Sequence, residues 1–564
     1  MKNKIVKRLL CAALVAATAF SAIGCKKKTS EVIDKTKTQI YVRSYTKGYG
    51  RNWLDAWKRD FEAKYAETEF EPGSGKKGAQ VVVQADSFDD LTQAQMNVSG
   101  IDIYFMQNQS YYTTVADTSG DGLEDLTSLV KGVSSVDGKT IESKLNAQQK
   151  EFFGIKGDDG NAHYYGLPHY YGTSGIIYNV DLFEDRGFYF AEDGEFISDD
   201  NSVRSAGPDG IPGNEDDGLP RTYAEFFKLL DEMCAQKIIP FVWSGANYTY
   251  YLGQLLDSLV ADYEGVDDMK LNYTFSGTEK LVKFNADGTV AKDAEGNLIL
   301  EETEVKRTNG YDVARQPGKY YAMEFLNKLM TTDKYHTDDA YKQTSQTMAE
   351  QAFLENGWTV TGKKKIAMLV DGPWWENEAS EIMKSMALMD KKWAKENRNF
   401  GWMPLPAATQ EKYERRVAGE KSVFYDSLNT MVIMTKNSGS RKEACFKFLE
   451  YISSDEALKT FAKETGALRG YSLELTDAEI KEMNLSSFSA SLLRKVNASD
   501  TLYRYTSDPF FNNNQAIFKY DVAYACEGYS NVPQGFREGK MSAEAYFTAY
   551  YDFLKNKHGS LWQK

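Results

Sequence analysis

Cysteine is scarce in this chain, with five residues among 564. Cys11 and Cys25 fall within the first 25 positions, and Cys234, Cys445 and Cys526 form an odd set without Cys-x-x-Cys spacing. That argues against a zinc cage or a disulfide framework, and Cys234 and Cys445 sit on apolar faces of predicted helices, where a buried inert thiol is expected. Histidine is rarer still: only His163, His169, His336 and His558 are available for triads or metal sites. No Gly-x-Ser-x-Gly or His-Glu-x-x-His run occurs. Gly357 to Lys363 has the outline of a phosphate loop, but Lys364 stands where Ser or Thr would ligate magnesium, and the segment precedes a strand instead of following one. Positive charge is also in deficit, with 67 Lys and Arg against 81 Asp and Glu and a net charge of -14, so neither nucleic acid nor an anionic membrane surface is the expected partner. After residue 23 no apolar run is long enough to span a bilayer.

The N-terminus carries what the rest of the chain lacks. Lys2, Lys4, Lys7 and Arg8 precede an apolar run from Leu9 to Ile23, closed by Ser21-Ala22-Ile23-Gly24-Cys25. This segment resembles a bacterial lipoprotein signal cut before Cys25, which would carry the lipid. Ala22 departs from the Leu more usual at that position, and an ordinary cleaved signal is the competing reading. Residues 26–38, short, polar and rich in Lys and Thr, read as a flexible tether. The remainder exceeds what one hydrophobic core supports, so at least two domains are expected.

Strands that pass through loops into helices organise the body. Gln39 to Tyr45 alternates as a strand, Thr46 to Gly50 breaks it, and Trp53, Leu54, Trp57, Phe61 and Tyr65 recur at helical spacing. Further strands are expected at Val81 to Ala85, Ile101 to Met106, Ile238 to Trp243 and Lys364 to Val370. Helices are expected at Leu91 to Val98 and from a Thr222/Glu225 capping box through Lys237. This alternation predicts parallel-rich α/β sheets. In such sheets ligands bind beyond the carboxyl ends of strands, which here carry Tyr49, Gln107, Asn108, Trp243, Tyr248, Trp374 and Trp375. Aromatic rings stack on the C–H face of a pyranose while amides and carboxylates hold its hydroxyls, so these rims suit sugars. Core packing is the competing role for each ring.

Three segments carry a family resemblance: Tyr165 to Gly172 running into Ile176 to Phe183; Gly362 to Trp374 with its Asp371-Gly372-Pro373-Trp374 turn; and Asn429 to Ser438, Arg441 to Ile452 and Phe461 to Leu468. They resemble the extracellular solute-binding proteins (family 1) of ABC importers, most closely the carbohydrate-binding, maltose-binding-protein-like branch. The resemblance implies an α/β, two-lobed periplasmic-binding-protein-like fold, each lobe a mostly parallel sheet flanked by helices, with a hinge between them. Crossovers are expected near 168–173, 361–365 and 425–430. Residues 39–168 plus 363–425 are expected to form the N-terminal lobe, and 169–362 plus 426–564 the C-terminal lobe, with insertions near 190–220 and 265–310. In that family the Trp of the turn stacks on a sugar, which carries onto Trp374, and an aromatic of the other lobe carries onto Tyr248. Asp371, Tyr170, Tyr171 and Asp426 are added here from their expected cleft position.

The implied function is a membrane-anchored receptor on the extracytoplasmic face, a monomer without catalysis. It would capture an oligosaccharide and deliver it to ABC permease subunits, touching the membrane through its lipid only. A secreted glycan hydrolase or a binder of peptide or another polar solute is the alternative. One further signal is the insertion Gly207 to Gly218, where Asp209, Asn214, Asp216 and Asp217 stand among glycines as oxygen ligands of a structural calcium do, although the EF-hand order is missing. An acidic surface loop without an ion is the simpler reading, and Asp117 to Gly122 is a weaker candidate of the same kind. Lys280 to Lys306 reads as a hairpin with turns at Asp287-Gly288 and Glu295-Gly296-Asn297.

Overall fold

A computed structural model describes residues 31–563 apart from 46, 87–92, 107–121, 338–343, 356–364, 429, 504–509, 512–513 and 515–530. The N-terminal signal with Cys25, much of the tether, Gln107, Asn108, residues 117–121, the phosphate-loop mimic and Cys526 therefore lie outside the described residues.

Short strands, most of them apolar runs buried on both faces, build two mixed sheets covered by helices; Thr38–Tyr45 instead alternates buried and half-buried residues. The first has the spatial order Ala79–Asp86, Thr38–Tyr45, Ile103–Met106, Met431–Met434 and Gly166–Pro168. Its first three strands are parallel, and Met431–Met434 runs antiparallel to both neighbours. The second has the order Phe400–Met403, Gly175–Asn179, Ile366–Asp371 and Ile239–Trp243, the last pair parallel.

Helices cover these sheets through aromatic faces. Helix Asn52–Lys64 buries Trp53, Trp57 and Phe61 against helix Asp455–Thr465, where Trp57 Nε1 donates to the Ala457 carbonyl at 2.9 Å. On the second lobe, helix Tyr223–Ala235 meets helix Pro317–Thr331 through Phe226 and Phe325, and Tyr320 of the latter meets Phe547 of helix Ala543–Asp552. Thr222 caps helix Tyr223–Ala235 as expected, but the Glu225 carboxylate reaches one residue further back, accepting from Arg221 N at 2.7 Å. The expected hairpin forms from Gly277–Val282 and Leu300–Val305, and its two turns place Gly288 and Gly296 at positive φ.

Strand pairing corrects the expected division of the chain. Ile366–Asp371 and Phe400–Met403, assigned to the N-terminal lobe, join the second sheet, and Met431–Met434, assigned to the C-terminal lobe, joins the first. An apolar strand buried on both faces fits either sheet, and its choice is made by distant partners. The expected crossover at 361–365 consequently joins two strands of one sheet. The third passage between lobes instead lies between helix Asp455–Thr465, packed in the first lobe, and helix Ser487–Ala498, packed on strand Phe400–Met403 of the second. That strand lies at the sheet edge, and the helix covers its outward N–H groups: Phe400 N donates to Ser487 Oγ at 3.0 Å and Trp402 N to Ser491 Oγ at 3.1 Å.

Arg469 ties two of the passages together. Its side chain is 1% exposed and donates to the carbonyls of Pro168, His169 and Ile452 at 2.8, 3.1 and 2.7 Å. The guanidinium also lies over the rings of Trp57 and Tyr471. Replacing it takes a donor from three buried carbonyls, of which His169 O keeps the Gly470 N–H at 3.0 Å, so Arg469→Met should lower stability by roughly 3 kcal/mol in urea denaturation. A loss below about 1 kcal/mol would show that the passages hold without it.

Candidate ligand-binding cleft

The carboxyl end of strand Thr38–Tyr45 leads to Gly48 and Tyr49, and that of Ile366–Asp371 leads to the Gly372 to Glu378 turn of the other lobe. These two rims touch. Gly48, at φ 82°, donates its N–H to Glu378 Oε1 at 3.1 Å and lies against the Trp374 side chain, where an added Cβ would come within 3.3 Å of Trp374 Cβ. The indole folds back over Gly372, whose missing Cβ would stand 2.2 Å from its ring. Trp374 is thus slotted between two glycines of opposite lobes and left 9% exposed.

Beside this contact Tyr49 and Tyr170 meet edge to face at 4.9 Å, and Tyr49 also meets Phe461 of the first lobe. The buried Tyr49 hydroxyl has no hydrogen-bond partner. Burial pushes both tyrosine hydroxyls well above their ordinary value, and the charges of Asp426 and Glu378 push each in the same direction. Tyr49, Tyr170, Asp426, Glu378 and Trp374 therefore share one electrostatic neighbourhood. Asp426 is fully buried and caps its own turn, accepting from Leu428 N at 3.1 Å.

Other expected positions lie elsewhere. Trp243 is fully buried, edge-on to His336, and Trp375 is fully buried among Phe353, Phe400 and Phe488. Both belong to the second lobe's core and not to a ligand surface: Trp243 ends a strand buried on both faces, and Trp375 points away from its neighbour Trp374 at the start of helix Trp375–Glu378. Tyr171 faces Phe424 and borders a cavity of about 460 Å³ with Asn146, Tyr471 and Asn497, while burial pushes its hydroxyl up to about 12. Tyr248 is half-buried against the core just before helix Leu252–Thr274.

Three residues that sequence reasoning missed complete the rim. Glu350 of helix Gln346–Leu354 and Glu378 converge with Asp371, one carboxylate oxygen of each lying within 4.8 Å of the others. Tyr251 joins them, its hydroxyl raised by burial and by the charges of Asp371, Glu378 and Glu350. Glu378 lies in the Gly-Pro-Trp segment and could have been found from that motif. Glu350 and Tyr251 come from distant segments, and no local pattern marks them. Burial, then the neighbouring carboxylates, push Glu350 up to about 10; burial also pushes Asp371 well above the carboxylate range and raises Glu378.

The acidic loop meets several of its oxygens from within the chain. Asp209 accepts from Ile211 N and the Asn214 amide, Asp217 accepts from Gly213 N, and Asn214 Oδ1 accepts from Asp216 N. The Lys495 ammonium lies 2.6 Å from Asp216 and 3.7 Å from Asp209. The chain's own cation and amides meet part of this oxygen set, and one oxygen each of Asp216 and Asp217 is left buried without a partner among the described residues.

Residues 50–459 match the model of the family described as bacterial extracellular solute-binding protein. This chain belongs to that family. The solute-binding protein is also similar to a solved chitin oligosaccharide binding protein, at 15% identity, 93% coverage of this chain, 99% of the other and a TM-score of 0.52. A second similar structure is an ABC substrate-binding protein, Lmo0181, from Listeria monocytogenes in complex with cycloalternan, at 14% identity, 93% and 99% coverage and a TM-score of 0.49. No curated protein matches the sequence. The first likeness establishes the shared two-lobed periplasmic-binding-type α/β fold, in agreement with the two sheets and their crossovers. Among the described residues no helix is long and apolar enough to cross a membrane.

The raised carboxyls set a pH dependence. Above the ordinary glutamate value of about 4.3 the unfolded chain releases protons that the folded cluster keeps, so stability is lost as pH rises toward the folded value of Glu350, about 10. In EDTA, melting temperature should fall between pH 5 and 9, and Glu350→Gln should flatten that fall. Equal slopes in the two proteins would separate Glu350 from the effect.

Proposed function

We propose that this solute-binding protein is a lipid-anchored receptor that captures an oligosaccharide between its lobes and delivers it to an ABC permease without altering it. The observation that carries the reading is the contact of Gly48 with Trp374 and Glu378 across the lobes. Parting the lobes breaks the Gly48–Glu378 hydrogen bond and that from Asn377 Nδ2 to the Thr465 carbonyl at 2.9 Å, and uncovers an indole face with carboxylates beside it. An apolar ring face with adjacent acceptors is the pairing a pyranose recognises, through its C–H face and its hydroxyls respectively. Hinge closure then buries the ligand. Family membership supports capture of a solute, and the structural neighbour named for chitin oligosaccharides supports a glycan. Cys25 behind its signal supports anchoring, which keeps the receptor at a high effective concentration near its permease.

Calorimetric titration of a glycan panel tests this directly. Saturable binding with the glycan recovered intact is expected; glycan cleavage, or no binding across the panel, would overturn it. Trp374→Ala should weaken the bound glycan about tenfold, or about 1.4 kcal/mol, with the melting temperature retained. Trp375→Ala should instead destabilise the second lobe by about 3–5 kcal/mol. Cys25→Ala should move the protein from the membrane fraction to the soluble one in fractionated cells.

A further inference from the structure

Three acidic clusters stand out, and two of them supply their own cation. In the insertion loop it is Lys495, as described above. Beside the cluster of Glu264, Asp268 and Glu279 it is the buried Lys319, which burial lowers to about 8 against the opposing charges of Glu279 and Glu264, while Gln316 Nε2 donates to Glu279 at 3.0 Å. Glu350, Asp371 and Glu378 differ. No ion pair reaches any of the three among the described residues, and Lys47 acts on Glu378 alone, from a distance. Glu350 is 1% exposed, faces the other two carboxylates, and receives no hydrogen-bond donor on either oxygen. Glu378 gives Oε1 to Gly48 of the opposite lobe, and its buried Oε2 has no donor either.

We propose that Glu350, Asp371 and Glu378 bind one hard divalent cation, of the calcium class, on the cleft face of the second lobe. One oxygen of each residue lies within 4.8 Å of the others, close enough for all three to reach one ion at about 2.4 Å, the calcium distance. The all-oxygen, carboxylate-only donor set disfavours zinc and copper, which select nitrogen and sulfur. The ion would neutralise three carboxylates, two of them buried, that no ion pair meets among the described residues, although Asp371 accepts from Gly372 N at 2.6 Å and from the Trp374 side chain. It would do so next to Trp374 on the surface that closure brings against Gly48. In its absence protons take that place, so binding must release protons and tighten as pH rises.

The test uses calcium alone, so its outcome is independent of the glycan assignment. EDTA-stripped full-length protein is titrated with calcium chloride by calorimetry at pH 6, 7 and 8. Saturable binding at one ion per chain is expected, at least tenfold tighter at pH 8 than at pH 6. Glu350→Gln and the less buried Glu378→Gln should each weaken it at least tenfold, and Asp209→Asn should leave it unchanged. Absence of calcium binding to the wild-type protein up to millimolar concentration overturns the proposal whatever the variants do. So does unchanged affinity in both glutamine variants, or loss in Asp209→Asn alone.

Discussion

The architecture depends on one buried guanidinium. A charge taken out of water is costly unless its donors are met, and Arg469 meets its cost with three main-chain carbonyls and two aromatic faces. Those carbonyls belong to the first crossover and to the end of helix Lys442–Ile452. Arg469 itself begins the return of the chain toward the second lobe. The same group therefore fixes where the chain leaves the first lobe and where it leaves it again, and the direction in which Tyr170 enters the cleft follows from that. Its charge and burial together hold His169 well below the ordinary histidine value, so the imidazole beside it stays neutral.

The cleft inverts this arrangement. Around Arg469 a cation is surrounded by acceptors, whereas around Asp371 three carboxylates are surrounded by aromatic rings and one another. Burial disfavours the charged form of each, and the low dielectric adds repulsion from neighbouring carboxylates at Glu350 and Asp371, so their protons are held firmly. Aromatic hydroxyls nearby respond in the same direction, so Tyr49, Tyr170 and Tyr251 remain neutral donors throughout the physiological range. A rim of neutral hydroxyls and proton-bearing or cation-bound carboxylates can both donate and accept, as a ligand made of hydroxyl groups requires.

Much of the local structure was legible in the sequence because its causes are local. The strand read at Gln39 to Tyr45 is Thr38–Tyr45, and the one read at Lys364 to Val370 is Ile366–Asp371, since apolar runs bounded by glycine or polar residues declare themselves. The membership of those strands in one lobe or the other was not legible, because Met431–Met434 finds Ile103–Met106 across more than three hundred residues. Within the cleft, Trp374 could be placed by its turn but its neighbour could not be distinguished from it: one helical step separates a ring at the lobe interface from one in the core. Glu350 left no trace, since a carboxylate on an amphipathic helix looks the same whether it faces water or two other carboxylates. In the acidic loop, composition could not show that a lysine nearly three hundred residues downstream would pair with Asp216.

The serines that cover the edge of the second sheet set a schedule for making the protein. Strand Phe400–Met403 keeps two N–H groups open until Ser487 and Ser491 arrive, and the first sheet lacks a central strand until Met431–Met434 is present. Neither lobe can finish during synthesis of its own N-terminal portion. A chain interrupted before residue 487 would carry an exposed, apolar strand edge able to pair with another copy. Both halves are completed only by segments beyond residue 430, so neither is an independent unit built from its own N-terminal portion.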